Sequence, residues 1–168
     1  MSASLKTALE SLTASVVSVW PDHRPFVERS LSARSPEEME FSRQIAKKIV
    51  SIIKGDGGDM DRYAEDYRRV CKDTSDEQLN FMRTKKYNAK SFEAVNAHIY
   101  QDQEYMTTYM NGLLLTQVLW HNHLKSLWFY VHEFLSARCE QGQSLIEVGP
   151  GHGLLLHLAY EQGIFSEM

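Results

Sequence analysis

The residues with the clearest chemical pattern lie near the end of the chain, in LIEVGPGHG, residues 145–153. A short apolar run leads into one acidic residue and three alternating glycines, and a helical pattern follows. A strand, a tight glycine turn and a helix N-terminus together form a site for a polar or anionic ligand. The reason is that free helix N–H groups point into the turn, and glycine lets a ligand approach the backbone. The stretch therefore predicts a ligand-binding loop.

The glycine spacing disfavours a nicotinamide dinucleotide as the ligand. The dinucleotide fingerprint G-x-G-x-x-G requires a glycine three places after its second one. Counted from Gly151, that place holds Leu154, and the third glycine falls at Gly153. The carboxylate of Glu147 would also repel a phosphate, which disfavours a nucleotide-binding regulator.

The same stretch resembles the first motif of class I S-adenosylmethionine-dependent methyltransferases, a hydrophobic strand followed by acidic-x-Gly-x-Gly-x-Gly. The resemblance implies that the backbone of Gly149, Gly151 and Gly153 cradles the methionine end of the cofactor S-adenosylmethionine. It also implies that Glu147 helps to hold the charged amino group of the cofactor. A carboxylate beside a ligand that carries an ammonium and a sulfonium is electrostatically favourable.

The resemblance covers only the end of the chain. A class I methyltransferase needs several further parallel strands, one of which holds the cofactor ribose through an acidic residue about twenty residues further on. We therefore expect the 168 residues to be the N-terminal portion of a longer enzyme, which alone binds the cofactor weakly or not at all. The resemblance implies methyl transfer to a small, biosynthetic acceptor molecule, a reaction that depends mostly on positioning.

Histidines provide the candidate acid–base groups. His121, His123 and His152 are candidates for a general base that deprotonates the methyl acceptor. His121 and His123 point about 200° apart on a helix, so they cannot chelate one ion. His121 and His132 share a helix face but lie about 16 Å apart. No metal site is predicted.

Helical periodicity dominates the residues before the loop. The first helix is indicated by an apolar stripe of Leu5, Leu9, Leu12 and Val16. The best-signalled helix begins with a capping box of Ser35 and Glu38, has Pro36 at its first position, and ends at the GDGG of residues 55–58.

Later helices are predicted with less regular boundaries. A third helix follows Met60, and Thr74 with Glu77 forms a second capping box that predicts a new helix start. The longest helix is predicted from about Leu113 to Cys139, with a break near residues 120–122. Its wide apolar stripe must be buried and suits a homodimer interface.

The chain changes character after Gly142. Residues 144–148 predict a buried strand, and helical periodicity returns until Gly163, a plausible C-terminal cap. The predicted fold is thus mainly α, followed by the first strand-loop-helix of a Rossmann-like α/β methyltransferase fold. Residues 1–140 form the helical lid domain, with 1–88 and 91–140 as candidate subdomains, and 143–168 begin the incomplete S-adenosylmethionine-binding domain.

Composition excludes several function classes. The net charge of −4, with both signs mixed along the chain, removes the attraction that nonspecific nucleic-acid binding requires. No apolar run reaches membrane-spanning length and no signal peptide is recognisable, so we expect a cytoplasmic protein without membrane contact. Cys71 and Cys139 lie far apart without a C-x-x-C partner and are ordinary thiols. A helical interaction module without transferase activity is the alternative interpretation.

Overall fold

The computed structural model describes residues 7–89, 91–137 and 142–168. The described chain is mostly helical, which confirms the mainly α prediction. Its α-helices are α1 (Ala8–Val19), α2 (Arg24–Ser32), α3 (Pro36–Gly55), α4 (Met60–Thr84), α5 (Phe92–Val95), α6 (Gln103–Leu119), α7 (His121–Phe129) and α8 (Leu154–Gln162). The remaining elements are a 3₁₀ turn (Pro21–His23), two π-helical turns (Asn96–Tyr100 and Tyr130–Leu135) and the strands β1 (Gln143–Ser144) and β2 (Phe165–Glu167).

The first helices follow the sequence pattern closely. The α1 stripe of Leu9, Leu12 and Val16 is buried, and α1 ends before Pro21 as predicted, while Leu5 lies outside the described residues. The capping box of α3 is confirmed. The Ser35 hydroxyl accepts from the backbone N–H of Glu38, and the Glu38 carboxylate accepts from the N–H of Ser35 at 2.9 Å.

The predicted helix start at Thr74 is wrong, because α4 runs without a break from Met60 to Thr84. No glycine or proline interrupts this stretch, so the i to i−4 hydrogen-bond ladder continues through Thr74. The side chain of Glu77 bonds instead to the backbone N–H of Asn88, in the connection after the helix.

The helix predicted from Leu113 begins ten residues earlier in α6, where the Asp102 carboxylate caps the N-terminus. The break near residues 120–122 is confirmed, since Trp120 is extended between α6 and α7. The break leaves carbonyl groups at the end of α6 without helical partners. Arg34 donates to the Val118 carbonyl at 2.6 Å, and the Ser30 hydroxyl donates to the Leu119 carbonyl at 2.6 Å. The wide apolar stripe around this break is largely buried inside the chain itself.

The predicted buried strand over residues 144–148 is wrong beyond Ser144. β1 covers only Gln143–Ser144 and pairs in parallel with the short strand β2. The Leu145 N–H still donates to the Glu167 carbonyl of β2 at 3.0 Å, but residues 145–148 are not part of a strand. Two of their side chains are almost fully exposed: Ile146 is 88% exposed and Val148 is 94% exposed. The two short strands do not confirm a Rossmann-like start, which stays a prediction.

The segment after Gly142 packs on the helical body. Leu154 and Leu158 of α8 belong to the same hydrophobic core as residues of α1, α2, α3, α4, α6 and α7. The Lys48 ammonium of α3 forms an ion pair with the Glu161 carboxylate of α8 at 2.6 Å. α8 ends with Gly163 in the left-handed conformation, as the sequence predicts. None of the described helices is both long enough and apolar enough to cross a lipid bilayer.

Candidate functional site

The three alternating glycines adopt the conformation that only glycine adopts without strain. Gly149, Gly151 and Gly153 have φ angles of 72°, 57° and 73°, in the left-handed region. The N–H of Gly153 donates to the Pro150 carbonyl at 2.8 Å, which closes the turn directly before α8. The glycine loop thus makes a tight turn between residues 145–148 and α8, as the sequence predicts.

Gly151 of this glycine loop packs against α6, whereas Gly149 and Gly153 have open space beside them. A Cβ atom at Gly151 would meet the Met110 sulfur at 3.7 Å and the Leu113 side chain at 3.9 Å, which is ordinary contact. A Cβ atom at Gly149 or Gly153 would meet nothing within 4 Å. These two positions therefore leave the backbone accessible to a ligand.

Glu147 is the residue of the site whose polar groups are least satisfied. Exposure alternates over residues 145–148, so that Glu147 faces inward while Ile146 and Val148 face outward. One carboxylate oxygen, Oε2, is shielded from solvent and accepts no hydrogen bond from the described residues. Burial raises the pKa of this carboxyl group above its usual range. A buried acceptor without a partner is costly, so the position favours a ligand that donates hydrogen bonds or carries positive charge.

Tyr130 completes the surroundings of this carboxylate. Its hydroxyl donates to the Leu155 carbonyl in the first turn of α8 at 3.3 Å. Burial raises the pKa of the Tyr130 phenol, and the nearby negative charge of Glu147 raises it further. The phenol therefore stays protonated beside Glu147. Tyr130 lies 17 residues before Glu147 in a π-helical turn, and its spacing gave no sign of this proximity.

His152 lies in the glycine loop, close enough to His123 to be affected by its charge. Burial lowers the pKa of His152, and the charge of His123 lowers it further. The Nδ1 atom of His152 accepts from the backbone N–H of Leu154 at 3.2 Å, so the neutral ring carries its proton on Nε2. This bond also satisfies the N–H of Leu154, the first residue of α8.

His123 has the opposite tautomer. Its Nδ1 atom lies 2.9 Å from the Thr116 hydroxyl oxygen, and that hydroxyl donates its own proton to the Leu113 carbonyl at 2.6 Å. Nδ1 of His123 is therefore the donor, and Nε2 keeps a free lone pair. Burial lowers the pKa of His123, so the ring is neutral at pH 7. His123 thus satisfies the chemical requirement for a general base.

His121 lies in different surroundings. Its Nε2 atom is 3.2 Å from the Glu38 carboxylate of α3, and it lines a cleft of about 800 Å³ with Trp20 and His23. It is therefore not joined to the glycine loop by any hydrogen bond of the described residues. In the part of the chain that the structure describes, no three His, Cys, Asp or Glu side chains converge on a possible metal position.

Neither a protein-family model, nor a curated protein, nor a solved structure in the comparisons matches this chain. The geometry of the glycine loop is therefore the basis on which a function can be proposed.

Proposed function

We propose that this chain supplies the helical lid domain and the first cofactor loop of a class I S-adenosylmethionine-dependent methyltransferase acting on a small acceptor. The observation that carries the proposal is the shielded, unpartnered carboxylate oxygen of Glu147 beside three glycines in the left-handed conformation. A loop of this kind fits an α-amino acid end, which offers an ammonium to the carboxylate and a carboxylate to backbone N–H groups.

The order of elements around the loop supports the same proposal. β1, the loop, α8 and β2 follow one another, and the two strands are parallel. A helix that connects two parallel strands is the unit from which nucleotide and nucleoside sites of α/β proteins are built. The helices that pack on the faces of such a sheet would also cover the exposed side chains of Ile146 and Val148.

Each residue of the site has a role under this proposal. Glu147 binds the amino group, and the backbone of Gly149 and Gly153 lies against the methionine portion. S-adenosylmethionine supplies an electrophilic methyl group when it is bound. His123, with its free Nε2 lone pair, is the candidate that accepts a proton from the acceptor molecule. His152 positions the loop through its bond to the Leu154 N–H.

A helical interaction module is the second candidate function, and one observation favours it. Ile146 and Val148, on either side of Glu147, are both apolar and almost fully exposed. Neighbouring exposed apolar side chains are typical of a surface that a partner covers. Such a module would not need the carboxylate of Glu147 to remain without a hydrogen-bond partner. Binding of the cofactor product therefore separates the two functions.

The test is saturation-transfer NMR with S-adenosylhomocysteine, the product form of the cofactor. We expect weak binding, with a Kd on the order of 1 mM, because the glycine loop and Glu147 offer contacts to the amino-acid end of the ligand only. Gly151→Val should abolish it, because a β-branched residue is strained at φ 57° and reshapes the loop.

Gly163→Val is the matched control for the Gly151 substitution. Gly163 is also left-handed, with φ 65° and open space around it, but it ends α8 rather than forming the loop. It should retain binding, and circular dichroism should show the helices of both variants intact. Equal binding by wild type and Gly151→Val would refute the loop as the cofactor site.

A further inference from the structure

A separate groove lies along the N-terminal half of α6 and contains no residue of the glycine loop. It is a groove of about 820 Å³ between the second half of α4 and the chain from residue 87 to α6. Two ring pairs form much of its wall. Phe81 stacks on Tyr87 with ring centroids 4.7 Å apart, and Tyr105 lies nearly parallel to Tyr109 with centroids 6.4 Å apart.

Acidic side chains line the same groove. Asp73, Asp76 and Glu77 contribute to it, and no lysine or arginine is among its described lining residues. Asp73 lies close enough to Tyr105 for its charge to add to the effect of burial in raising the pKa of that phenol. We name this surface the aromatic–acidic groove and define it by Asp73, Asp76, Phe81, Tyr87, Tyr105 and Tyr109.

The acidic groups differ in how they are used. The carboxylate of Glu77 accepts from both the backbone N–H and the side-chain amide of Asn88, and so fixes the outer wall of the groove against α4. Asp73 and Asp76 are exposed and form no hydrogen bond or ion pair with the described residues. Two carboxylates without an ion-pair partner among the described residues therefore lie beside the aromatic rings of the groove.

Core packing does not account for the aromatic wall. Tyr87 is 66% exposed and Tyr109 is 37% exposed. Cations of the chain itself already sit over two of the rings: the Arg69 guanidinium is 5.8 Å from the Tyr105 centroid, and the Lys85 ammonium is 6.0 Å from the Phe81 centroid. Aromatic faces with adjacent carboxylates form the environment that recognises organic ammonium ions.

We propose that the aromatic–acidic groove binds a small organic cation of the alkylammonium class. The rings bury the apolar groups around the nitrogen, while Asp73 and Asp76 neutralise its charge. None of the residues that define the groove belongs to the glycine loop, so this inference does not rest on the proposed function. α6 connects the two sites, because Tyr109 of the groove lies one turn from Leu113, which touches the loop at Gly151.

The test compares choline with 3,3-dimethylbutan-1-ol, its uncharged isostere, in a titration followed by ¹H–¹⁵N NMR of the full chain at low ionic strength. We expect choline to shift the backbone amides around Tyr105 and Tyr109, and to bind about tenfold more tightly than the alcohol. Equal affinities for the two compounds, or no choline binding, would overturn the proposal.

Variants assign the effect to the groove. The double substitution Asp73→Asn with Asp76→Asn should weaken choline binding about tenfold and leave the alcohol unchanged. Tyr109→Leu, which keeps an apolar side chain but removes the ring face, should weaken choline more than the alcohol. Glu65→Gln is the matched control, because Glu65 is an exposed acid of α4 outside the groove, and it should bind choline as wild type does. Wild-type choline affinity in the double variant would contradict the proposal.

Discussion

Glu147 combines two properties that rarely occur together in a side chain whose only role is structural. The residue faces the protein interior, and one of its carboxylate oxygens has no hydrogen-bond partner among the described residues. Such an arrangement destabilises the folded chain relative to a neutral side chain of the same shape. Residues that bind ligands commonly carry this cost, since their polar groups are arranged for the ligand rather than for the protein.

Because the shielded carboxylate of Glu147 destabilises the folded chain, replacing it with a neutral side chain should raise the stability in a pH-dependent way. Burial raises the pKa of Glu147 in the folded chain above its value in the unfolded chain. Below the unfolded-state pKa, Glu147 is protonated in both states and its burial costs little. As the pH rises through the folded-state pKa, the carboxyl group ionises in its shielded position and the folded chain loses stability. Glu147→Gln should therefore raise the melting temperature at pH 7 by about 2 °C. Near pH 3.5, where the wild-type carboxyl is largely protonated, the difference should disappear.

Thermal unfolding followed by circular dichroism at the two pH values measures this effect. Glu133→Gln, a substitution of an exposed glutamate, serves as the control and should leave the melting temperature unchanged at both. A lower melting temperature for Glu147→Gln at pH 7 would mean that the carboxylate has a stabilising partner, and it would contradict its role as an open ligand group.

At the scale of helices, α4 and α6 approach each other closely at Gly112. A Cβ atom there would lie 2.6 Å from the Asp66 carbonyl oxygen and 2.6 Å from a methyl carbon of Val70. α4 and α6 can therefore pack backbone to backbone only because Gly112 has no side chain. A glycine inside a helix weakens the helix by about 1 kcal/mol relative to alanine, and the close packing offsets this loss.

Gly112→Ala should consequently destabilise the chain, although alanine is the better helix former. We expect a loss of about 1–3 kcal/mol in the free energy of unfolding, since α4 and α6 must separate to admit the methyl group. Gly55→Ala provides the contrast, because Gly55 also lies in a helix but has open space around it. That variant should be neutral or stabilised by up to about 1 kcal/mol. Urea denaturation measures the free energy of unfolding of both variants. Equal values for Gly112→Ala and Gly55→Ala would contradict the close packing of α4 and α6.

The helices that could be predicted are those whose signals are local. The capping box of Ser35 and Glu38 and the stripe of Leu9, Leu12 and Val16 depend on spacings of three and four residues, and the structure confirms them. Thr74 shows the limit of the same approach, since a capping box within a run of helix-compatible residues does not start a new helix. Spacing cannot distinguish a cap from an exposed pair on a helix surface.

Contacts between residues far apart in sequence could not be predicted. Arg34 is buried and donates to the Val118 carbonyl of α6, the Ser42 hydroxyl and two acceptors of Ser30. Desolvation lowers the pKa of this guanidinium to about 10, and Glu38 partly opposes the change. Arg34 thereby provides a hydrogen-bond donor for a carbonyl group at the end of α6, beside the break at Trp120. The sequence showed the break but not the residue that stabilises it.

At the scale of the whole molecule, the glycine loop was predictable and its surroundings were not. The positive φ angles of Gly149, Gly151 and Gly153 follow from local spacing. The electrostatic effect of His123 on His152 joins residues 29 positions apart, which no single-sequence pattern reveals. The length of β1 was also predicted wrongly. Only the short strand β2 lies beside it, so the strand ends at Ser144.

The same scale shows why the loop is held in place. α8 joins the core through Leu154 and Leu158, while Lys48 and Glu161 connect it to α3. Met110 and Leu113 support the loop from α6. The helical body thus fixes one side of the loop and leaves the backbone at Gly149 and Gly153 open. A ligand that enters there meets a preformed turn rather than a disordered segment.

The most direct measurement of the central claim is a ¹H–¹⁵N NMR titration of the uniformly labelled chain with S-adenosylhomocysteine. Binding at the proposed site should shift the backbone amides of residues 147–154, and Glu147→Gln should weaken the binding about tenfold through loss of the carboxylate–ammonium contact. Shifts confined to other residues, or the same affinity in wild type and Glu147→Gln, would contradict the assignment of the glycine loop as the cofactor site.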